Sequence, residues 1–412
     1  MCIRLKPSYS LTLLCVQNNS CRCYACDLGK RPTSGNLTVE VRNDGSGAVA
    51  QQILFALAWA NQLQLKFRGI HVPAVVKAHN VDREKMLEFL FGEDLIISSK
   101  SPKGQTDGWI NLNDFSFRHP RFPFLFTVDV KDYVTANPAS KTMNEEGFAT
   151  LFAANYHGLV SYVMGGPLRT PSMPLLNVNL AQDPAPAAPE YSHPIFFTDT
   201  FLAALQRGAK CNIDLALGKK SYFQRYGSTG KQIIRVCAHV RHGDLDDTRI
   251  KPTIRLPRMT SDAAYFVLFD AISDTIKRIM PDATVDMHAF TSCSNAFNDS
   301  SCAEYEASLR AKYRAHNVFL HMDFESNTTA ATSDAMTAWA HFIKADILIT
   351  SKSTFSMVPA FFNRQCVIYQ PHWNAPLPHW VSVHLWPSQE ALNASAISDE
   401  LAFAFPRCLS RF

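Results

Sequence analysis

From residue 231 onward the chain alternates short apolar runs with stretches of helical length, and this alternation restricts its fold more than any other feature. The runs expected as strands cover 233–240, 284–290, 318–321, 347–350 and 366–369. Expected helices over 262–279, 302–315, 333–344 and 354–362 separate them. Strands alternating with helices mean βαβ units and a parallel sheet. The Val- and Ile-rich runs suit a sheet covered by helices on both faces.

A similar unit opens the earlier part of the chain. A strand over 37–42 leads into the turn Asn43-Asp44-Gly45-Ser46-Gly47 and then an apolar helix over 48–65. A strand over 67–72, a helix over 83–91, a polar and aromatic-rich stretch over 109–126 and a Pro/Ala-rich linker over 182–190 follow. At 412 residues the chain exceeds what one core usually organises, so two domains are expected. The division reads as a Cys-rich, disordered leader over 1–34, an α/β domain over 35–225, a Rossmann-like domain over 226–385 and a C-terminal segment over 386–412. Two such α/β domains leave a cleft, with the loops bearing Gly45, Arg241 and Ser353 facing it from the carboxyl ends of their strands.

Composition excludes some partners. The formal charge is only +4, with 18% charged residues and no long Lys/Arg run, which argues against general nucleic-acid binding. No window reaches the roughly 18 uninterrupted apolar residues of a membrane span. Eleven cysteines preclude complete pairing within the chain. Cys21-x-Cys23-x-x-Cys26 lacks a second half with zinc spacing, so no metal is expected there. Sequons at Asn18, Asn36, Asn298, Asn327 and Asn393, and a polar loop that a Cys293–Cys302 disulfide would close, favour a secretory lumen such as the Golgi.

Chemistry concentrates at two strand ends. The run Val236-Cys-Ala-His239-Val-Arg241-His242-Gly-Asp244 ends an apolar strand in charge, where open α/β sheets place ligands. Arg241 offers a fork of donors matched to phosphate oxygens, and His239 should share its face of the strand. His242 reads as a solvated loop residue, and Asp244 as a residue tying the turn through backbone amides. After the run 347–349, Lys352, Ser353, Thr354, Phe355 and Ser356 open a helix whose free amides and hydroxyls favour an anion. Plain N-capping needs only one of these hydroxyls, and Lys352 adds a charge that capping does not explain. Further on, His372-Trp373-Asn374 and His379-Trp380 offer aromatic faces suited to a sugar rim or to packing.

Gly45-x-Gly47-x-x-Ala50 also fits the opening of a dinucleotide fold, and Arg68 would suit a 2′-phosphate. That fingerprint expects an acid about 20 positions onward for the ribose, yet no Asp or Glu lies between Gly45 and Asp82. The Walker A spacing is absent as well.

His239-x-Arg241-His242-Gly-Asp244 and Ser353-Thr354-Phe355-Ser356 resemble, in order and spacing, the paired motifs of the fucosyltransferase superfamily. Gly45, Gly47 and Gln51 loosely resemble the Gly-rich amino-terminal motif of its α1,2 members. The resemblance covers 231–371 well and the rest poorly. It implies a GT-B-like α/β fold of two Rossmann-like domains, the first on the acceptor side. It also implies an inverting transfer of fucose from GDP-fucose to a glycan hydroxyl, with no metal or other cofactor. Arg241 would hold the diphosphate, His239 would lie near the nucleotide, and Ser353, Thr354 and Ser356 would lie on the β-phosphate side. Two departures stand out. His242 replaces a second arginine, and Ala338 stands where several relatives place a guanine-reading carboxylate, with Asp334 the nearest acid. Asp244, Asp246, Asp247 and His242 are the choices for a general base. An NADP-dependent oxidoreductase and a catalytically inactive glycan-binding protein are the rival readings.

Overall fold

The computed structural model describes residues 35–40, 45–62, 65–71, 82–92, 96–97, 110–111, 117–119, 122–126, 176–180, 197, 199–224, 231–242, 260–292, 299–323, 328–371, 376–377, 379–383 and 394–409. The leader over 1–34, the linker over 182–190, Asp244, Asp246, Asp247, Cys293, Trp373 and the sequon asparagines 18, 298, 327 and 393 lie outside them.

The second half is an α/β layer structure. Strands β8 (Ile233–His239), β9 (Thr284–Ser292), β10 (Val318–Asp323), β11 (Ile347–Ile349), β12 (Cys366–Tyr369) and β13 (Val381–Ser382) form one sheet in the order β10-β9-β8-β11-β12-β13. Every pairing in it is parallel. In order of appearance this is 3-2-1-4-5-6, the doubly wound arrangement whose direction reverses between β8 and β11.

Alternation along the strands assigns their faces. Ile234, Val236, Ala238 and Val240 join one buried cluster with Ile347, Ile349, Cys366 and Ile368. Helices α4 (Asp262–Ile279), α5 (Asp299–Ala315) and α8 (Ala394–Leu409) supply the rest of that layer through residues such as Phe269, Tyr313 and Leu401. Cys237, Phe290, Leu348, Val367 and Tyr369 belong to the opposite cluster. There α1 (Ser46–Gln62), α2 (Arg83–Phe91), α3 (Asp199–Lys219), α6 (Thr328–Lys344) and α7 (Thr354–Phe362) pack together around Trp339, Phe342 and Phe361. Burial of each large side chain contributes about 1.5 to 3 kcal/mol, so a sheet sealed on both faces demands the continuous apolar runs seen here.

The first half contributes a second parallel sheet, in the order β3-β2-β1-β7-β4, from β1 (Gly35–Glu40), β2 (Leu65–His71), β3 (Ile96–Ile97), β4 (Ile110–Asn111) and β7 (Leu176–Leu180). A hairpin of β5 (Phe117–His119) and β6 (Phe122–Phe126) stands apart from it. Helix α1 begins before the expected 48–65 span and ends inside it. The chain resumes as β2 at Leu65, where Leu65, Lys66 and Phe67 pair with Gly35, Asn36 and Leu37.

Helices α3 and α8 were not anticipated from the sequence. Helix α8 is fastened to β12 by a Cys366–Cys408 disulfide. Among the described residues no helix is long and apolar enough to cross a membrane.

Candidate functional site

The two motif-bearing junctions meet at the reversal of strand order. Strands β8 and β11 are hydrogen-bonded neighbours, with Val236 opposite Ile347 and Ala238 opposite Ile349. Their carboxyl ends therefore emerge side by side. Arg241 crosses between them, its Nη1 donating to the Lys352 carbonyl at 3.0 Å. His239 makes a second link, its Nδ1 lying 2.7 Å from Ser351 Oγ.

His239 occupies the same face as Arg241, with its ring against Phe355 and Phe342. Burial, reinforced by the charge of Arg241, pushes its pKa down to about 3. The side chain is a neutral hydrogen-bonding group at physiological pH. Burial also lowers the pKa of Lys352, which is only 8% exposed.

The hydroxyls at the start of α7 divide their work. Ser353 is the N-cap, its Oγ accepting from Phe355 N at 3.2 Å. Ser356 is fully buried; its Oγ accepts from Ser351 N at 3.0 Å and donates to Ser353 O at 3.2 Å. Those bonds close the turn. Thr354 is half-buried at the first position of the helix.

The glycine-rich segment of the first half comes to the same place. A Cβ on Gly47 would lie 2.6 Å from Phe355 N and 2.8 Å from its Cα, so glycine here lets the start of α1 touch the start of α7 backbone to backbone. Gly45 O accepts from Val49 N as α1 begins. Gln51 Nε2 reaches Met357 Sδ at 3.9 Å, a contact between these two helices. Because protein backbone fills the space over Gly47, the close approach that a dinucleotide pyrophosphate needs at a fingerprint glycine is taken. This removes the physical support for the oxidoreductase reading.

Other expected site residues lie further out. Asp334, near the start of α6, is bonded by Lys220 Nζ at 2.6 Å. Ala338 is buried in the middle of that helix. Trp380 is buried and packs its ring against Phe361 and Tyr369, so it serves the core and not a sugar rim.

Several residues at this edge were missed in the sequence. Thr260 Oγ1 donates to Gln370 Oε1, Gln370 Nε2 donates to Tyr265 Oη, and that hydroxyl donates to the His239 carbonyl, at 2.9, 3.1 and 3.1 Å. This buried chain braces the ends of β8 and β12. On the opposite face His242 is not the solvated loop residue expected: its side chain is largely buried, with Nε2 3.0 Å from Asp262 Oδ1 and Nδ1 3.2 Å from Tyr305 Oη. Tyr313 Oη donates to the same Asp262 oxygen at 2.7 Å. Burial opposes ionisation of Asp262, but the bonds from His242 and Tyr313 outweigh it and hold its pKa below the usual carboxylate value. Ser351 lies two residues past one apolar strand and Gln370 directly after another, a signal that was available; Asp262 reads in sequence only as a helix-start acid.

No family model matches the chain, and no curated protein sequence does. Among solved structures, POFUT1 in complex with GDP-fucose is similar at 13% identity over 85% of this chain and 99% of that one, with a TM-score of 0.40. An Arabidopsis thaliana FUT1 mutant in complex with GDP is similar at 13% identity over 84% and 74%, with a TM-score of 0.38. The glycosyl transferase family 9 protein from Veillonella parvula is similar at 7% identity over 92% and 98%, also at 0.38. Likenesses this faint assign no activity, and the chemistry of the site rests on its own geometry.

Proposed function

We propose that this chain is a glycosyltransferase that takes a sugar from a nucleotide diphosphate sugar, GDP-fucose in the fullest form of the reading, and transfers it with inversion to a glycan hydroxyl. The observation that carries it is the Arg241–Lys352 link. It sets a guanidinium against a hydroxyl-rich helix start at the topological switch point, where doubly wound sheets bind ligands. The resemblance of these two junctions to the paired fucosyltransferase motifs chooses the transferase over other users of such an edge.

In this reading Arg241, held at the turn that opens α7, takes up the charge that grows on the diphosphate as its bond to the sugar breaks. Lys352 adds charge from within the same turn. His239, held neutral, orients through its bond with Ser351. Ser356 supports the turn without touching the donor. Loss of the Arg241 contact costs about 3 kcal/mol in the transition state, or roughly a hundredfold in rate. The Cys366–Cys408 disulfide supports a lumenal setting, since such bonds persist in oxidising compartments.

GDP release from GDP-fucose, followed with a panel of glycan acceptors for wild type and Arg241→Ala, tests the reading. Acceptor-dependent release that falls about a hundredfold in the variant supports it. Equal rates in the two proteins overturn it.

A further inference from the structure

The proposed transfer needs a group to take the proton of the attacking hydroxyl, and the structure assigns that work to a relay of Tyr305, His242 and Asp262. The inference rests on the donor reading above. It concerns the face of the sheet edge opposite Arg241. Arg241 contacts Lys352 in the α7 layer, whereas its successor His242 contacts Asp262 and Tyr305 in the α4 and α5 layer.

The bonds fix the direction of the relay. Asp262, held as a carboxylate, only accepts, so His242 Nε2 carries the proton between them. In the neutral ring Nδ1 is then an acceptor, and Tyr305 Oη, 3.2 Å away, is its donor. Tyr313 Oη, donating to Asp262 at 2.7 Å, fixes the carboxylate behind the imidazole. Tyr305 is half-buried near the start of α5, and α5 follows the carboxyl end of β9, the neighbour of β8. The phenol therefore belongs to the same edge as Arg241.

The step balances. The acceptor oxygen forms a bond to the anomeric carbon as the bond from that carbon to the diphosphate oxygen breaks, and the electron pair leaves with the diphosphate. The acceptor proton passes to Tyr305 Oη while the Tyr305 proton passes to His242 Nδ1, leaving an imidazolium paired with the Asp262 carboxylate. Release of that proton to water resets the relay. Tyr305 is the proposed catalytic residue, and Asp262 is a positioning residue that sets the His242 tautomer.

The test follows GDP release from GDP-fucose with water as the acceptor, for wild type, Tyr305→Phe and Asp262→Asn, alongside GDP-induced thermal stabilisation. Tyr305→Phe keeps the ring that packs edge-on against His242. The relay predicts a fall in kcat of about a hundredfold or more in that variant, with donor KM and the GDP shift unchanged. Imidazole 15N–1H spectra supply a readout independent of turnover: His242 is neutral with its proton on Nε2 in wild type, and the proton moves to Nδ1 in Asp262→Asn. GDP binding by both proteins with an undiminished rate in Tyr305→Phe sinks the relay and leaves the donor reading standing. Failure of wild type to bind GDP sinks both. A doubly protonated His242 at neutral pH, which has no capacity to accept, also overturns the relay.

Discussion

Arg241 Nη1 donates to the carbonyl of Lys352 at 3.0 Å, joining two strand ends that lie 111 residues apart in the chain. The bond fixes one arm of the guanidinium against the turn that opens α7. It also lies at the point where the strand order reverses.

Gly47→Ala should loosen the contact between α1 and α7. The new Cβ would lie 2.6 Å from Phe355 N, and backbone cannot swing away as a flexible side chain can. We expect a loss of about 1 to 3 kcal/mol in urea unfolding. A midpoint identical to wild type would mean that the two helix starts do not touch.

Ser356→Ala should cost stability without mimicking the loss of a charged donor contact. Ser351 N, in a buried turn, loses its bond to Ser356 Oγ, which costs about 1 to 3 kcal/mol. GDP affinity should change far less than in Arg241→Ala. A variant of native stability that no longer binds GDP would place Ser356 on the donor instead.

Acid should destabilise the protein before the carboxylates titrate. Burial pushes His239 and His321 down to about 3, with neighbouring positive charge adding to the effect, and pushes His341 to about 4 against the opposing bond to the Thr337 carbonyl. A histidine depressed in the folded state takes its proton first in the unfolded chain, so protonation favours unfolding. Their stabilising effect is complete above the ordinary histidine value of about 6.5 and is lost as pH falls from there toward 3. The slope is on the order of 1 kcal/mol per pH unit for each histidine. Urea unfolding at pH 7, 6 and 5 checks this, and equal stability at all three would contradict it.

Reduction of the Cys366–Cys408 bond should release α8 from β12. The bridge spans 42 residues, and its loss costs about 2 to 4 kcal/mol by chain entropy. The midpoint of Cys408→Ser relative to wild type under non-reducing conditions measures it.

The doubly wound half was legible because its strands are buried on both faces and read as unbroken apolar runs. Val236 to Ala238 and Ile347 to Ile349 declare themselves without tertiary information. Helix α3 was not, since its apolar residues alternate with Arg207, Lys210 and Asp214 and follow a stretch with little periodicity. The meeting of the two strand ends was legible at Arg241 and His239, where charge interrupts an apolar strand end. Asp262 and Tyr305 were not, because their chemistry comes from contacts with His242 across 20 and 63 positions. Ser356 read as a ligand group, yet it is taken up by its own turn. Gly47 read as a phosphate glycine, yet it faces Phe355.

The most direct test of the proposed donor site is thermal unfolding of wild type and Arg241→Ala with saturating GDP, UDP or NADP. At about 100 times its dissociation constant GDP should add about 2.7 kcal/mol to wild type, and that gain should be lost in the variant. An equal GDP shift in both proteins, or a response to NADP alone, would contradict a diphosphate site built on Arg241.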